Sequence, residues 1–216
     1  MSSTDTDIHP SASAHRPPRI CAAILAAGAS VRFNGIKALA PVGSTTMLGH
    51  VKAQTDQLAS VATLAIIGAH WQHLLPELTT LRLPFVCNGD WRSGQRSSVI
   101  AAARCVAQDV DALLVLTVDQ IGVKTESLQQ LIDAYARHPD HIVCATYART
   151  RGVPAIFPRA MLPALTGLSA DSGAKHLLYD APNIVTIDLP AAALDIDRRD
   201  ELAEFNRAHA THSARN

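Results

Sequence analysis

Arg32 and Lys37 lie in one short Gly-punctuated stretch, Gly28 to Gly35 and just beyond, directly after the apolar run Ile20 to Leu25. Small residues let backbone N–H groups approach an anion closely, and a guanidinium and an ammonium can neutralise it. The combination reads as a triphosphate cradle. It is not a Walker loop, because Phe33 stands where the second Gly is needed, and not a Rossmann fingerprint, because Ser30 follows Gly28 at the second Gly position. A second chemical feature lies far along the chain, where the apolar run Ala112 to Val118 delivers Asp119. The carboxyl end of a strand in an open parallel sheet lines the ligand crevice. A carboxylate there, beside a triphosphate, suits Mg²⁺, which takes one or two carboxylates together with phosphate oxygens and water. The alternative role for Asp119 is to cap a turn.

These side chains need an alternating set of strands and helices to hold them. Ile20 to Leu25 predicts a strand buried on both faces, Val61 to Ile67 a second, Phe85 to Asn88 a brief third, and Ala112 to Val118 a central one. Helices are expected from Thr46, as cap, to Leu58, through Leu74, Leu75 and Leu78, from about Ser97 to Ala107, and from Thr125 through Tyr135. Ile142 to Tyr147, a polar turn at Arg149 to Gly152, and Val153 to Phe157 predict a hairpin, with Pro154 marking an edge or a bulge. Ile184 to Leu189 is a last strand, followed by a helix through Leu202 and Phe205. His70 and His73 form either a ligand pair or polar contacts at a helix start. The pattern is α/β, with a mostly parallel sheet and an antiparallel hairpin.

Composition bounds the rest. The chain has 216 residues, 48% of them apolar, enough for one large α/β domain, and its formal net charge of zero leaves no electrostatic footprint for nucleic acid or an anionic membrane. No segment approaches the roughly twenty uninterrupted apolar residues of a membrane-spanning helix. Cys21, Cys87, Cys105 and Cys144 are widely spaced, each in an apolar segment, and are expected as small core residues, reduced in a cytoplasmic setting. Residues 1–19 are expected to be a disordered leader, 20–206 one domain, and 207–216 a flexible tail.

The stretch Leu25-Ala26-Ala27-Gly28-x-Ser30-x-Arg32, closed by Lys37, resembles the nucleotide loop of the MobA-like NTP transferase family, with Phe33 in place of Met, Asn34 at a Gly position and Gly35 one place late. Asn88, Gly94, Ser97 and Ser98 match a second family motif, Asp119-Gln120 a third (Ile121 replacing Pro), and Gly152-Val153-Pro154-x-x-Phe157 a fourth. Ser169 to Lys175 is similar to Gly-Asp-x-Gly-Ala-Arg of the molybdenum-cofactor cytidylyltransferase (MocA-like) branch, with Ala170 for Gly and Lys175 for Arg. Asp195-x-Asp197 matches the family's Asp-x-Asp-Thr-x-Glu-Asp, with Arg198 for Thr.

The resemblance implies a Rossmann-like three-layer sandwich, as in nucleotide-diphospho-sugar transferases, and transfer of a nucleotidyl group from an NTP to a phosphate-bearing acceptor. It assigns Leu25, Ala26, Ala27, Gly28, Ser30, Asn88, Ser97 and Ser98 to the nucleotide, and Arg32, Lys37 and Asp119 to catalysis. Gly152, Pro154, Asp171 and Lys175 fall to the acceptor, and Asp119 with Asp197 to Mg²⁺ or Mn²⁺. Ser97 and Ser98 are alternatively helix caps, as are Asp171 and Asp197. The methyl of Ala27, where guanylyl-transferring relatives have Gly, favours CTP. The acceptor implied is molybdopterin, with a molybdenum enzyme or its chaperone as a possible partner. A sugar- or polyol-phosphate cytidylyl- or uridylyltransferase, and a nucleotide-binding accessory protein without catalysis, are the rival readings.

Overall fold

β1 (Ile20–Ala26) is apolar throughout because both of its faces are covered: Ala22, Ile24 and Ala26 enter one core, Ala23 and Leu25 the other. The computed structural model describes residues 16–168 and 174–213. After β1 come β2 (Pro41–Val42), β3 (Thr45–Thr46), α1 (Met47–Asp56), β4 (Val61–Ile67), α2 (Trp71–Thr80), β5 (Phe85–Cys87) and α3 (Gln95–Arg104). There follow β6 (Ala112–Thr117), α4 (Thr125–Arg137), β7 (Ile142–Tyr147), β8 (Thr150–Pro158), α5 (Leu162–Thr166), α6 (Ala174–Asp180), β9 (Ile184–Asp188) and α7 (Arg199–Ser213).

Seven strands form one sheet in the order β5-β4-β1-β6-β8-β7-β9, which puts β6 in the middle. β8 runs antiparallel to both neighbours, while every other pairing in this sheet is parallel. β2 and β3 make a separate two-stranded ribbon. Met47 of α1, Leu74 of α2, Leu131 of α4 and Phe205 of α7 pack on one face, and Val99, Leu165 and Leu178 of α3, α5 and α6 on the other. The result is a three-layer α/β sandwich. Leu25 stands level with Thr117, and the Val118 amide donates to the Leu25 carbonyl, so the loop after β1 and the turn after β6 leave the sheet side by side. That neighbourhood is set by strand pairing alone.

Several expectations need correcting. Cys21 and Cys144 are buried, but Cys87 and Cys105 are exposed. Cys87 ends β5, an edge strand with a neighbour on one side only, and Cys105 caps the carboxyl end of α3. The hairpin turn is tighter than its polar run suggests: Ala148 and Arg149 both take positive φ (46° and 61°), as a two-residue hairpin turn requires, and β8 begins at Thr150. Pro154 lies inside the sheet, not at an edge. The register slips between Cys144 and Ala145, pairing them with Ala155 and Gly152, so Val153 and Pro154 form the bulge. Thr46 does cap α1, accepting from the Gly49 amide, but the helix ends at Asp56. α7 continues through Ser213, past the point where a tail is expected. Residues 16–19 are tied down: Arg16 pairs with Asp111 at 2.8 Å, and the Arg19 amide and guanidinium donate to Asp111 and Asp109.

Candidate active site

The cations reach the cavity by an indirect path. From β1 the chain makes a one-turn 3-10 helix at Val31–Phe33, which buries Phe33 in the core below, so Phe fills the place of the family's Met. A second such turn, Lys37–Leu39, sends the Lys37 side chain back toward β6. Its ammonium donates to Asp119 Oδ2 at 3.0 Å and to Asp197 Oδ1 at 2.8 Å, and Arg32 Nη1 stands 2.5 Å from Asp197 Oδ2. Asp197 is brought there by backbone: the Ile196 amide donates to the Asp119 carbonyl, and Glu201 accepts from the amides of Asp197 and Arg198 at the entry to α7. Its side chain faces the cations and is not a helix cap.

Lys37 is 7% exposed. Burial alone would lower its pKa, but the charge of Asp119 and hydrogen bonds to both carboxylates outweigh that and hold it above the usual lysine range. The hydrogen bond from Lys37 holds the Asp197 carboxyl below the usual range, against partial burial and with the charges of Lys37 and Arg32 adding. Asp195 behaves oppositely. Although the residue as a whole is exposed, withdrawal of its carboxyl from water and the neighbouring charges of Asp119 and Asp197 push its pKa up to about 6.

Arg32, Lys37, Asp119 and Asp197 face an open cavity of about 410 Å³. Leu25, Ala26, Ala27, Gly28 and Ser30 form one wall, Ser98 and Trp91 another. Asn88 and Ser97 sit behind that wall: the Asn88 amide donates to both serine hydroxyls, and Ser97 donates to the Gly94 carbonyl. Neither serine caps α3, which begins at Gln95 with Gly94 as its cap. His70 bonds the Ala29 carbonyl with Nε2 at 3.0 Å, a polar contact at a helix start, and His73 packs edge-on to it.

A second cavity of about 300 Å³ adjoins the first through Gln95, between α3 and β8. Gly152 lines it, and a Cβ there would stand 2.3 Å from Tyr147 Oη, so the glycine makes room for that tyrosine. Pro154 lies in the bulge beside it. Asp171 lies outside the described residues, as does the side chain of Lys175.

The spacing alone does not single out three residues. Gln120, 3% exposed, donates through its amide to the carbonyls of Val153 and Ala192 at 2.9 and 2.8 Å, linking the Asp119 turn to the bulge and to the segment leading to Asp197. Arg151 and Tyr147 line the second cavity. Asp-x-Asp marks Asp195 in the sequence; nothing local marks Tyr147.

The donor set fits a hard divalent cation. Asp119 and Asp197 converge on one position, that of the Lys37 ammonium, beside space for phosphate oxygens and water.

The fold and a family match over most of the chain define an α/β protein of the nucleotidyltransferase class. Residues 22–184 match the MobA-like NTP transferase domain, and the chain belongs to that family. No curated protein sequence matches it significantly. Among solved structures, a homolog of Mycobacterium tuberculosis Rv0371c from Mycobacterium sp. strain JC1 is 25% identical, with TM-score 0.72, over 88% of this chain and 98% of that one. Rv0371c of M. tuberculosis H37Rv in complex with manganese is 23% identical, with TM-score 0.71, over 89% and 100%. Molybdopterin-guanine dinucleotide biosynthesis protein A from Archaeoglobus fulgidus is 15% identical, with TM-score 0.69, over 88% and 99%. Among the described residues, no helix is long and apolar enough to cross a membrane.

Proposed function

We propose that this protein transfers a nucleotidyl group, CMP first, from an NTP to a phosphate-bearing acceptor, molybdopterin foremost, and releases pyrophosphate. The observation that carries the reading is the convergence of Arg32, Lys37, Asp119 and Asp197 at one cavity walled by Ala27 and Gly28. Arg32 and Lys37 would bind the triphosphate and neutralise charge as it shifts toward the leaving group. Asp119 and Asp197 would hold Mg²⁺ or Mn²⁺, which when bound supplies charge neutralisation on the phosphates. An oxygen of the acceptor phosphate attacks the α-phosphorus, and the bond from that phosphorus to the oxygen bridging to the β-phosphate breaks, releasing pyrophosphate. A phosphate monoester is nucleophilic enough without a base relay, so alignment and electrostatics carry the rate.

The Ala27 methyl, at the cavity wall, favours the smaller pyrimidine base. The manganese bound by Rv0371c and the function named for the A. fulgidus protein agree with a divalent cation and a molybdopterin acceptor. A cytosolic setting, with a molybdenum enzyme or its chaperone receiving the product, completes the proposal.

The test is pyrophosphate release by purified protein with CTP, GTP or UTP, Mg²⁺, and a panel of molybdopterin, sugar-phosphate and polyol-phosphate acceptors. CTP with molybdopterin is expected to give the highest turnover, and Asp119→Asn to lower it on the order of 100-fold. Turnover of GTP alone would reject the choice of base, and preference for a sugar or polyol phosphate would reject the acceptor. An Asp119→Asn protein as active as a Glu126→Gln surface control would reject catalysis at this site.

A further inference from the structure

Between the two cations the loop turns through Asn34 and Gly35, and this crest is gripped from outside by Arg199, in the first turn of α7. Arg199 Nε donates to the Phe33 carbonyl at 3.2 Å and Nη2 to the Asn34 carbonyl at 2.9 Å, while the guanidinium carbon lies 5.4 Å from the centre of the Phe33 ring. The crest is an unfavourable shape for an unaided chain: Asn34 has φ 52° and Gly35 φ 159°. Gly35 also clears the space Arg199 occupies, because a Cβ there would stand 2.5 Å from Arg199 Nη2. The glycine that falls one place late relative to the family pattern thus lies where the arginine needs it.

The entry to α7 holds the loop at two levels. Asp197 takes the charged tips of Arg32 and Lys37, and Arg199, two residues on, takes the backbone between them. The segment has its own anchors in the Ile196–Asp119 backbone bond and the Glu201 cap. When a triphosphate draws the cation tips off Asp197, the Arg199 contacts are the ones that stay. A lysine could not replace them, since one ammonium lacks the planar fork that reaches two successive carbonyls and stacks on a ring.

We propose that Arg199 is a positioning residue: it fixes the base of the cation-bearing loop, so that Arg32 and Lys37 meet the nucleotide from a preset position. The proposal rests on the nucleotide reading given above. The test uses full-length protein and calorimetric titration with CTP and Mg²⁺ without acceptor, hydrogen exchange over residues 31–37, and steady-state kinetics. Arg199→Ala should weaken CTP binding about tenfold, the equivalent of one lost charge-assisted contact, raise the KM for CTP, and leave the acceptor KM unchanged. A purely structural role would lower the active fraction without moving either KM. Arg199→Lys should fail to rescue. Gly35→Ala, which displaces the guanidinium and also strains the loop backbone at a positive φ, should weaken binding at least as much, and adding Arg199→Ala to it should cost little more.

Binding by Arg199→Ala within twofold of the unaltered protein, or additive losses in the double variant, would overturn the proposal. If Arg199→Ala does not fold, Arg199→Lys decides the matter: a tenfold loss of CTP binding supports the clamp, and a loss under twofold ends it. If the unaltered protein binds no nucleotide, the nucleotide reading falls, and exchange decides the clamp: faster exchange at 31–37 in Arg199→Ala supports it, and unchanged exchange ends it.

Discussion

Replacing Lys37 with Met keeps the length and bulk of the side chain and removes its charge. No cavity forms, so the cost is electrostatic: Asp119 and Asp197 lose the ammonium that each contacts within 3.0 Å and are left facing one another. Removing one partner of a fully buried ion pair costs about 3–5 kcal/mol, while exposed pairs contribute about 1 kcal/mol or less. The lysine is nearly buried, but the carboxylate side chains keep 25% and 28% of their surface, so water recovers part of the loss. The expected destabilisation near neutral pH is therefore about 2–3 kcal/mol, or roughly 5–10 °C in Tm for a domain of this size. The sign of the pH dependence follows from Asp197. Its folded pKa is depressed by Lys37, so the stability it contributes is present above the ordinary carboxylate range and is lost as pH falls through the folded value. The gap between unaltered and variant protein should thus be widest at pH 7–8 and close only as pH falls below the ordinary carboxylate range, where Asp197 takes up its proton. Urea melts at several pH values measure it. A loss below about 0.5 kcal/mol at neutral pH, or one that does not change with pH, would refute the assignment of Lys37 as the shared counterion.

Two further outcomes are expected. Asp195 should make the protein less stable as pH rises through about 4–6, because its folded pKa is raised to about 6 and ionisation there is opposed by burial and by two neighbouring carboxylates. Asp195→Asn should remove that decline, and equal Tm differences at pH 4 and pH 8 would count against it. A thiol reagent at pH 8 should modify two cysteines rapidly in the native protein and four after denaturation. Cys87 and Cys105 are exposed, whereas burial pushes Cys21 and Cys144 to about 11; four fast thiols in the native state would contradict the fold.

How far the sequence reaches depends on whether a signal is local. β1, β4 and β6 are plain in it because strands covered on both faces must be apolar along their length, and Asp119 is plain because it interrupts such a run at its end. The pairing of Asp197 with Lys37 is a tertiary contact between residues at opposite ends of the chain, and spacing supplies the residue without its partner. Cys87 reads as core by composition because nothing local shows that β5 is an edge. Gln120 enters the sequence reading only as the residue after Asp119 in a motif, and only the packed bulge and the Ala192 carbonyl reveal what its amide joins.

The anchoring of Arg16 and Arg19 to Asp109 and Asp111 has a practical consequence. These contacts lie where β1 and β6 begin, at the pole opposite the crevice. A bead, a surface or a fused protein joined directly at Arg16 would hold the molecule by its back, with the mouth of the cavity turned outward.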